Sequence, residues 1–395
     1  MRRWTGKGRA SPRSGERPLA CVLGEIDLVR ALALAGVHSA VGVPPGNPAR
    51  YSRAAAYVLD WRDPCREPEA LLERLVAFGR TQPERPVLFY DGDWDTLLIS
   101  RHREELSESF RFVIAESELV ESLLDKERFQ GLAERLGLPV PRSRRLADAD
   151  DEGGLGLRFP VLAKPLTREH GSWRPHARAK ALPLAGAEDL RSLRARLRGS
   201  GLELLVQEAV PGPESRVVSY HVYVDEGGEV AGEFTGRKLR THPPLYGYST
   251  ALEITASEEV TAAGREIVRQ LGLRGVAKLD FKCGPDGTLH LFEVNPRFNL
   301  WHHPGALAGV NLPEIVYRDL VGLPRPPVRT ARSGVRWCSL AHDPQAARAD
   351  GTGLARWFAW ALRCEAKSGF AWDDPLPLPR AALWRLRRRS RTGAS

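Results

Sequence analysis

Asp280, Glu293 and Asn295 carry side-chain oxygens that could hold a divalent cation, and Arg297 follows close behind. They lie in two short apolar strands, Val276-Ala277-Lys278-Leu279-Asp280-Phe281 and Leu289-His290-Leu291-Phe292-Glu293-Val294-Asn295, the second closed by Pro296-Arg297. Between them Gly284-Pro285-Asp286-Gly287 is turn chemistry, because glycine supplies positive φ and proline pre-sets φ. Side chains alternate faces along a strand, so Glu293 and Asn295 share one face, as do Lys278 and Asp280 on the partner. If the two faces coincide, Asp280, Glu293 and Asn295 form a small oxygen cluster. Such a cluster suits Mg²⁺ carrying a nucleotide's phosphates, since Mg²⁺ prefers a few carboxylates plus phosphate oxygens to a full protein cage. Taken alone, the pattern fits a hairpin with a solvated polar face better than a metal site.

Other residues could serve the same chemistry. The run Phe159-Pro160-Val161-Leu162-Ala163-Lys164-Pro165 is a strand with one lysine among apolar residues, and a buried lysine needs an anionic partner. A further strand, Leu202 to Glu208, ends in Gln207-Glu208 before Ala209-Val210-Pro211-Gly212-Pro213-Glu214. Asp91 and Asp93 follow the strand Pro86 to Tyr90, and ligands gather at the carboxyl ends of parallel strands. Both aspartates could instead cap the helix Trp94 to Ser100.

Periodicity supplies the elements that would position these groups. Leu19 to Gly24, a helix with Leu28, Leu32 and Ala35 on one face, and Ser39 to Val43 read as a βαβ unit, hence a parallel sheet. Phe112 to Ile114 is expected to add a strand. No Gly-x-Gly-x-x-Gly follows the first strand, so a dinucleotide is not expected there. From Ser117 the spacing turns helical through Leu119, Leu123, Leu124, Phe129, Leu132 and Leu136, and Lys126 falls inside it. A helix over Glu188 to Arg198, strands over Arg216 to Val224 and Val230 to Lys238, a loop from Arg240 to Tyr248 and a helix from Ser257 to Leu271 lead back to the hairpin. The expected organisation is a disordered basic arm over 1–17, a parallel α/β domain over 18–116, a second α/β domain over 117–325 and an extension with a basic tail over 326–395.

With 395 residues, 42% hydrophobic and 27% charged, the chain has the composition of a globular protein of two or three domains. No apolar run is long enough to span a bilayer, and the apolar stretch after Pro18 is broken by Glu25, Asp27 and Arg30. The five cysteines are scattered and never form Cys-x-x-Cys, which argues against structural zinc and for a reducing cytoplasm. The net charge of +9 sits largely in the terminal arms and fits an anionic small substrate, with no nucleic acid expected. Ala381 to Arg389 is amphipathic enough for a weak contact with an anionic surface.

A lysine on a helix, a lysine on a strand, a strand ending Gln207-Glu208 with Pro-Gly beyond it, a following glutamate, and an Asp…Glu-x-Asn-x-Arg hairpin resemble, in that order, the ATP-grasp superfamily. Val120-Glu121-x3-Asp125-Lys126, Arg237-Lys238-Leu239-Arg240-Thr241-His242-Pro243-Pro244, Trp372-Asp373-Asp374-Pro375 and Tyr90-Asp91-Gly92-Asp93-Trp94-Asp95-Thr96 resemble, more narrowly, predicted carboxylate–amine ligases related to D-aspartate ligase. The resemblance implies a Rossmann-like N-terminal (pre-ATP-grasp) domain followed by a two-subdomain ATP-grasp fold. It implies ATP as cofactor with Mg²⁺, or Mn²⁺ in its place. Lys126 and Lys164 would contact the phosphates, Gln207, Glu208 and Val210 the adenine edge, and Glu214 the ribose. Asp280, Glu293 and Asn295 would hold the metal, and Arg297 would clamp a phosphoryl group or a substrate carboxylate. Arg237, Lys238 and Arg240 would face the acyl-phosphate site. The phosphate-covering loop, Arg168 to His176, departs from the family by holding a single glycine.

The function implied is an ATP-dependent ligase that activates a small carboxylate as an acyl phosphate and joins it to an amine. The alternative is a non-catalytic ATP-binding protein acting in a complex. The sequence leaves the two substrates and the oligomeric state open.

Overall fold

The hairpin forms as the alternation predicts and lies at the edge of the largest sheet. We describe residues 2–3, 17–146, 155–166, 173 and 181–392 in a computed structural model of the chain. The first sheet contains β1 (Arg2–Arg3), β2 (Ala20–Leu23), β3 (Ser39–Val41), β4 (Ala55–Val58) and β5 (Val87–Tyr90), in the order β1-β4-β3-β2-β5 with every pairing parallel. Arg2 and Arg3, placed by the sequence in a structureless arm, thus pair with Tyr57 and Val58 as an edge strand. The remainder of the arm, at positions 1 and 4–16, lies outside the described residues. The strand expected over Phe112 to Ile114 does not form. Only Arg111 makes a parallel bridge to Val87, its amide donating to Pro86 O at 2.9 Å.

A second sheet, β6 (Ser143–Leu146), β7 (Val161–Pro165), β8 (Leu182–Leu184) and β9 (Leu204–Glu208), is ordered β6-β9-β7-β8. Val161, Ala163, Leu204 and Val206 face Trp173 and the helix Ala187–Leu197, which buries Leu190, Leu193 and Leu197 against them. Strand alternation therefore turns Leu162, Lys164, Leu205 and Gln207 to the opposite face.

The third sheet contains β10 (Val217–Val224), β11 (Val230–His242), β12 (Tyr248–Thr255), β13 (Gly275–Cys283), β14 (Leu289–Asn295), β15 (Arg336–Ser339) and β16 (Ala366–Ser368), ordered β14-β13-β10-β11-β12-β15-β16. Tyr220, Val222, Leu279 and Phe281 pack on one face with Val260 and Ile267 of the helix Glu258–Gln270. Gly264 is required there, since a Cβ would stand 2.2 Å from the Tyr220 ring. Ser219, His221, Lys278 and Asp280 are left for the other face.

β15 and β16 come from the stretch expected as a C-terminal extension, yet they complete this sheet. Asp343 fixes the arrangement. Fully buried, it accepts from Arg240 Nε and Nη2 at 2.9 and 2.6 Å, from Thr250 Oγ1 at 2.8 Å and from Trp357 Nε1 at 2.8 Å. Trp384, on the last helix, sits where a Cβ at Gly46 would be 2.3 Å from its ring, so the basic tail docks on the N-terminal domain. Leu383 and Leu386 of that helix stay exposed. Replacing Asp343 by Ala strands the Thr250 and Trp357 donors and a part-buried guanidinium, and is expected to cost about 3 kcal/mol, read in urea titration as a lower midpoint at unchanged slope.

Candidate active site

Lys164 shows how the second and third sheets meet. Its ammonium donates to Gln207 Oε1 at 2.7 Å and lies 5.4 Å from the centre of the Phe292 ring on β14. The cleft between these sheets therefore has β7 and β9 as one wall and β13 and β14 as the other. Burial pushes the Lys164 ammonium down to about 8. The Glu293 carboxylate acts in the opposite sense, Lys126 adds to the lowering, and Glu214 opposes it.

Lys126 opens the helix Lys126–Arg135, whose start is capped by Asp125 accepting from the Glu127 and Arg128 amides at 3.0 and 2.9 Å. Its ammonium donates to Pro165 O at 2.5 Å, which brings it beside Lys164. Glu214 lies 3.8 Å from Lys282 Nζ on β13. Val210 is buried, and its peptide group has no hydrogen bond to any described residue. Glu208 is differently placed. Its amide donates to Arg142 O, and its carboxylate accepts from the Arg158 amide, both at 2.9 Å.

The expected metal ligands converge. Asp280 stands directly opposite Glu293 and Lys278 opposite Asn295, so all four share one patch of the sheet. The Asp280 and Glu293 carboxyl groups lie within hydrogen-bonding reach, an arrangement that calls for a proton or cation between them. Glu293 opens to the cleft and Asn295 is half-buried. Asp280 is only 2% exposed, and both its oxygens are engaged. Oδ1 accepts from the Ser219 hydroxyl, Oδ2 from Lys278 Nζ at 2.6 Å, and Lys238 Nζ stands 3.9 Å away. Burial alone would raise its pKa, but Lys278 and Lys238 hold it well below the usual carboxylate range. An oxygen donor set of Glu293 and Asn295 fits Mg²⁺.

The three basic residues of β11 part company. Lys238 faces the Asp280–Glu293 patch, whereas Arg237 projects from the other face and donates to Glu253 Oε2 from Nε and Nη2 at 3.0 and 2.7 Å. Arg240 is spent on Asp343 and stacks 4.1 Å from the Trp360 ring. The expected acyl-phosphate roles of Arg237 and Arg240 are corrected accordingly, because strand alternation and a bulge between Lys238 and Arg240 send them elsewhere.

Arg297 donates from Nε to Asp93 Oδ1 at 2.6 Å and from Nη2 to Asn295 Oδ1 at 3.5 Å, tying the end of β14 to the N-terminal domain. Asp91 accepts from the Glu25 amide at 2.7 Å, and burial pushes its carboxyl up to about 6. Burial, then the Asp91 charge, pushes Glu25 up to about 7. Asp91 and Asp93 thus border the cleft. Asp374 of Trp372-Asp373-Asp374-Pro375 is structural, accepting from Ser52 Oγ at 2.6 Å and from the Arg53 amide at 3.1 Å. Ser219, Lys282 and Glu25 were missed by the sequence reading. The alternation through Lys278 and Asp280 signals Lys282, but only the sheet register brings Ser219 to Asp280. The loop Arg168 to His176 lies outside the described residues except for Trp173.

An α/β N-terminal domain followed by two sheets closing on a lysine-lined cleft is the ATP-grasp fold. Residues 202–342 match the family model described as ATP-grasp in the biosynthetic pathway with Ter operon, so this segment is an ATP-grasp domain. The chain is similar to D-aspartate ligase of Enterococcus faecium (strain Aus0004), with 30% identity over 241 residues, covering 58% of this chain and 57% of that one. It is also similar to D-alanine–D-alanine ligase of Stutzerimonas stutzeri (strain A1501), with 26% identity over 181 residues, 44% of this chain and 54% of that one. The chain thus spans just over half the length of these relatives. Among solved structures, L-amino acid ligase from Bacillus licheniformis superposes with a TM-score of 0.60 at 14% identity, covering 78% of this chain and 75% of that one. N5-carboxyaminoimidazole ribonucleotide synthetase from Thermus thermophilus superposes with a TM-score of 0.58 at 19% identity, covering 80% and 81%. At these identities the likeness is one of fold.

Because Lys164 loses its proton near pH 8, the affinity of the free protein for ATP is expected to fall as pH rises from 7 to 9. Isothermal titration across that range should show the decline, and Lys164→Met should flatten it while weakening binding at pH 7.

Proposed function

We propose that this chain is an ATP-dependent ligase that joins a small-molecule carboxylate to an amine, producing ADP and phosphate. The observation that carries the reading is the convergence of Lys126 and Lys164 on one wall of the cleft with Glu293 and Asn295 on the other. The similarity to D-aspartate ligase and D-alanine–D-alanine ligase supports it.

Lys126 and Lys164 bind phosphate oxygens as compact ammonium charges. The Val210 peptide group meets the adenine edge beyond the Gln207-Glu208 strand end, and Glu214 accepts from the ribose hydroxyls. Glu293 and Asn295 would hold Mg²⁺, or Mn²⁺, which supplies neutralisation of the phosphate charge when bound. Lys238, facing the same patch, orients the substrate carboxylate toward the γ-phosphorus, and Arg297, held by Asp93, lines the path between this patch and the N-terminal domain.

A carboxylate oxygen bonds to the γ-phosphorus while the bond to the β–γ bridging oxygen breaks, leaving ADP and an acyl phosphate. The amine then attacks the acyl carbon, phosphate departs, and the nitrogen loses its proton. The first step is largely positioning and charge neutralisation, which these residues provide without a nucleophilic side chain. The five cysteines are all free, and among the described residues no helix is long and apolar enough to cross a membrane. We place the reaction in the cytoplasm, where ATP is available.

A screen of ADP release across carboxylate and amine pairs is expected to identify a pair that both substrates must complete. With that pair, Glu293→Gln should lower the rate by about tenfold to a hundredfold. A rate near that of the unaltered chain would sink the assignment of Glu293, and no active pair in the presence of bound nucleotide would sink the ligase reading.

A further inference from the structure

Half of the large hydrophobic side chains left exposed among the described residues fall after Gly353, in about a tenth of the chain. Three of them make a stripe. Leu354, Phe358 and Leu362, 44%, 59% and 55% exposed, recur every four residues along the helix Leu354–Leu362, and the exposed Ala355 and Ala359 widen the stripe. Trp357 and Ala361, on the other side of that helix, are buried with Cys338 and Ala347. The helix is thus apolar on two sides, and only one of them is covered. The last helix, Pro377–Thr392, repeats the arrangement: Pro377, Ala381 and Trp384 form its docked side, and the exposed Leu383 and Leu386 lie away from it. Between the two helices Trp372 is 83% exposed.

Charge gathers in the same segment. After Gly353 there are nine Lys and Arg against three Asp and Glu. Arg356 and Arg363 border the stripe on the first helix, Arg380, Arg385 and Arg387 flank the leucines of the last, and all five are exposed. The nearby acids are largely committed elsewhere. Asp374 is buried on Ser52 and the Arg53 amide, Glu365 accepts from the Arg336 amide and lies 4.0 Å from Arg332, and Asp350 accepts from the Thr352 amide. Asp373, beside Trp372, remains exposed. Arg356, Arg363 and Arg380 make no ion pair with a described residue.

We infer that this C-terminal segment docks the chain on an anionic lipid surface, with Leu354, Phe358 and Leu362 and the two leucines of the last helix entering the headgroup region and the arginines beside them meeting lipid phosphates. Apolar side chains bordered by arginine, with a tryptophan nearby, suit the boundary between headgroups and acyl chains. At nine and sixteen residues the helices are too short to span a bilayer, so each would lie on it. A second copy of the chain fits less well, because two-fold pairing along either helix brings like arginines together. A nucleic acid also fits less well, since its phosphates would engage the arginines and leave Phe358 and Leu362 in water. Gly46, under Trp384, precedes Asn47, whose side-chain amide donates to Glu25 Oε1 at 3.1 Å, so the last helix stands beside the N-terminal border of the cleft. The inference does not rest on the ligase reading.

The experiment is co-sedimentation of the full chain with vesicles of phosphatidylcholine alone and of phosphatidylcholine containing phosphatidylglycerol. Binding to the anionic vesicles is expected to be about tenfold tighter or more, and to weaken as salt rises from about 0.1 M to about 0.5 M. Phe358→Glu with Leu362→Glu, and separately Leu383→Glu with Leu386→Glu, should each lower the partition by about fivefold or more while the melting temperature stays within about 3 °C. No binding to anionic vesicles, equal binding to both kinds, pelleting without lipid, or a folded variant of either pair that binds as the unaltered chain does would overturn the inference. Should the variants fail to fold, brominated phosphatidylcholine in the anionic vesicles decides with the unaltered chain. Quenching of tryptophan emission is then expected, and its absence overturns the inference.

Discussion

A carboxylate in the middle of a β-sheet, almost without solvent, must be met by cations or hydrogen-bond donors, and Asp280 is met from three other strand positions. Ser219 comes from β10, Lys238 from β11 and Lys278 from β13 itself, while Glu293 of β14 stands across from it. The penalty for burying an unpaired charge makes this constellation all-or-none. It also pins register. A slip of one residue between β13 and either neighbour would turn Asp280 into the apolar layer with Tyr220 and Phe281, and bring Leu279 into the cleft. The same side chains that make the floor of the site therefore specify the sheet that carries it.

The rest of the molecule holds this floor against its two covers. On one side Lys126 reaches the end of β7 and Lys164 reaches Gln207, so the second sheet meets the cleft with cations. On the other, Arg297 joins Asp93, and the Phe298 amide donates to Tyr90 O at 3.2 Å, locking the strand ends of the N-terminal domain beside the end of β14. The C-terminal stretch acts as a strap. Arg30 donates from Nη1 to the carbonyls of Lys367 and Phe370 at 2.7 and 3.0 Å, Asp374 takes Ser52, and Asp343 takes Arg240. Two motifs that suggested chemistry in the sequence, the basic run after Gly236 and Trp372-Asp373-Asp374-Pro375, are in this way divided between the site and its scaffold.

This division explains why charged residues adjacent in sequence have different fates. Lys238 is a cleft residue because it lies on the same face as Gly236 and Phe234, while Arg237 meets Glu253, which in turn accepts from Arg336 of β15 at 2.9 Å. Glu25 and Asp91, whose raised pKa values follow from burial beside other acids, give the N-terminal side of the cleft the opposite electrostatic character to its lysine-rich floor.

The hairpin, the lysine on an apolar strand, the parallel α/β start and the placement of Glu293 with Asn295 were legible in the sequence, because each depends on local turn chemistry and on a period of two or 3.6 residues. The edge strand at Arg2–Arg3, the incorporation of β15 and β16 into the large sheet and the absence of a strand at Phe112 to Ile114 were not, since each depends on which backbone edge a segment meets in space. At the site, the sequence determined which residues share a face. Only the tertiary structure decided that Ser219 and Lys238 reach Asp280, that Arg237 and Arg240 are held away by Glu253 and Asp343, and that Arg297 is anchored to Asp93. The physical reason is that a charged side chain is committed by its partner, and these partners come from strands and helices far apart in the chain.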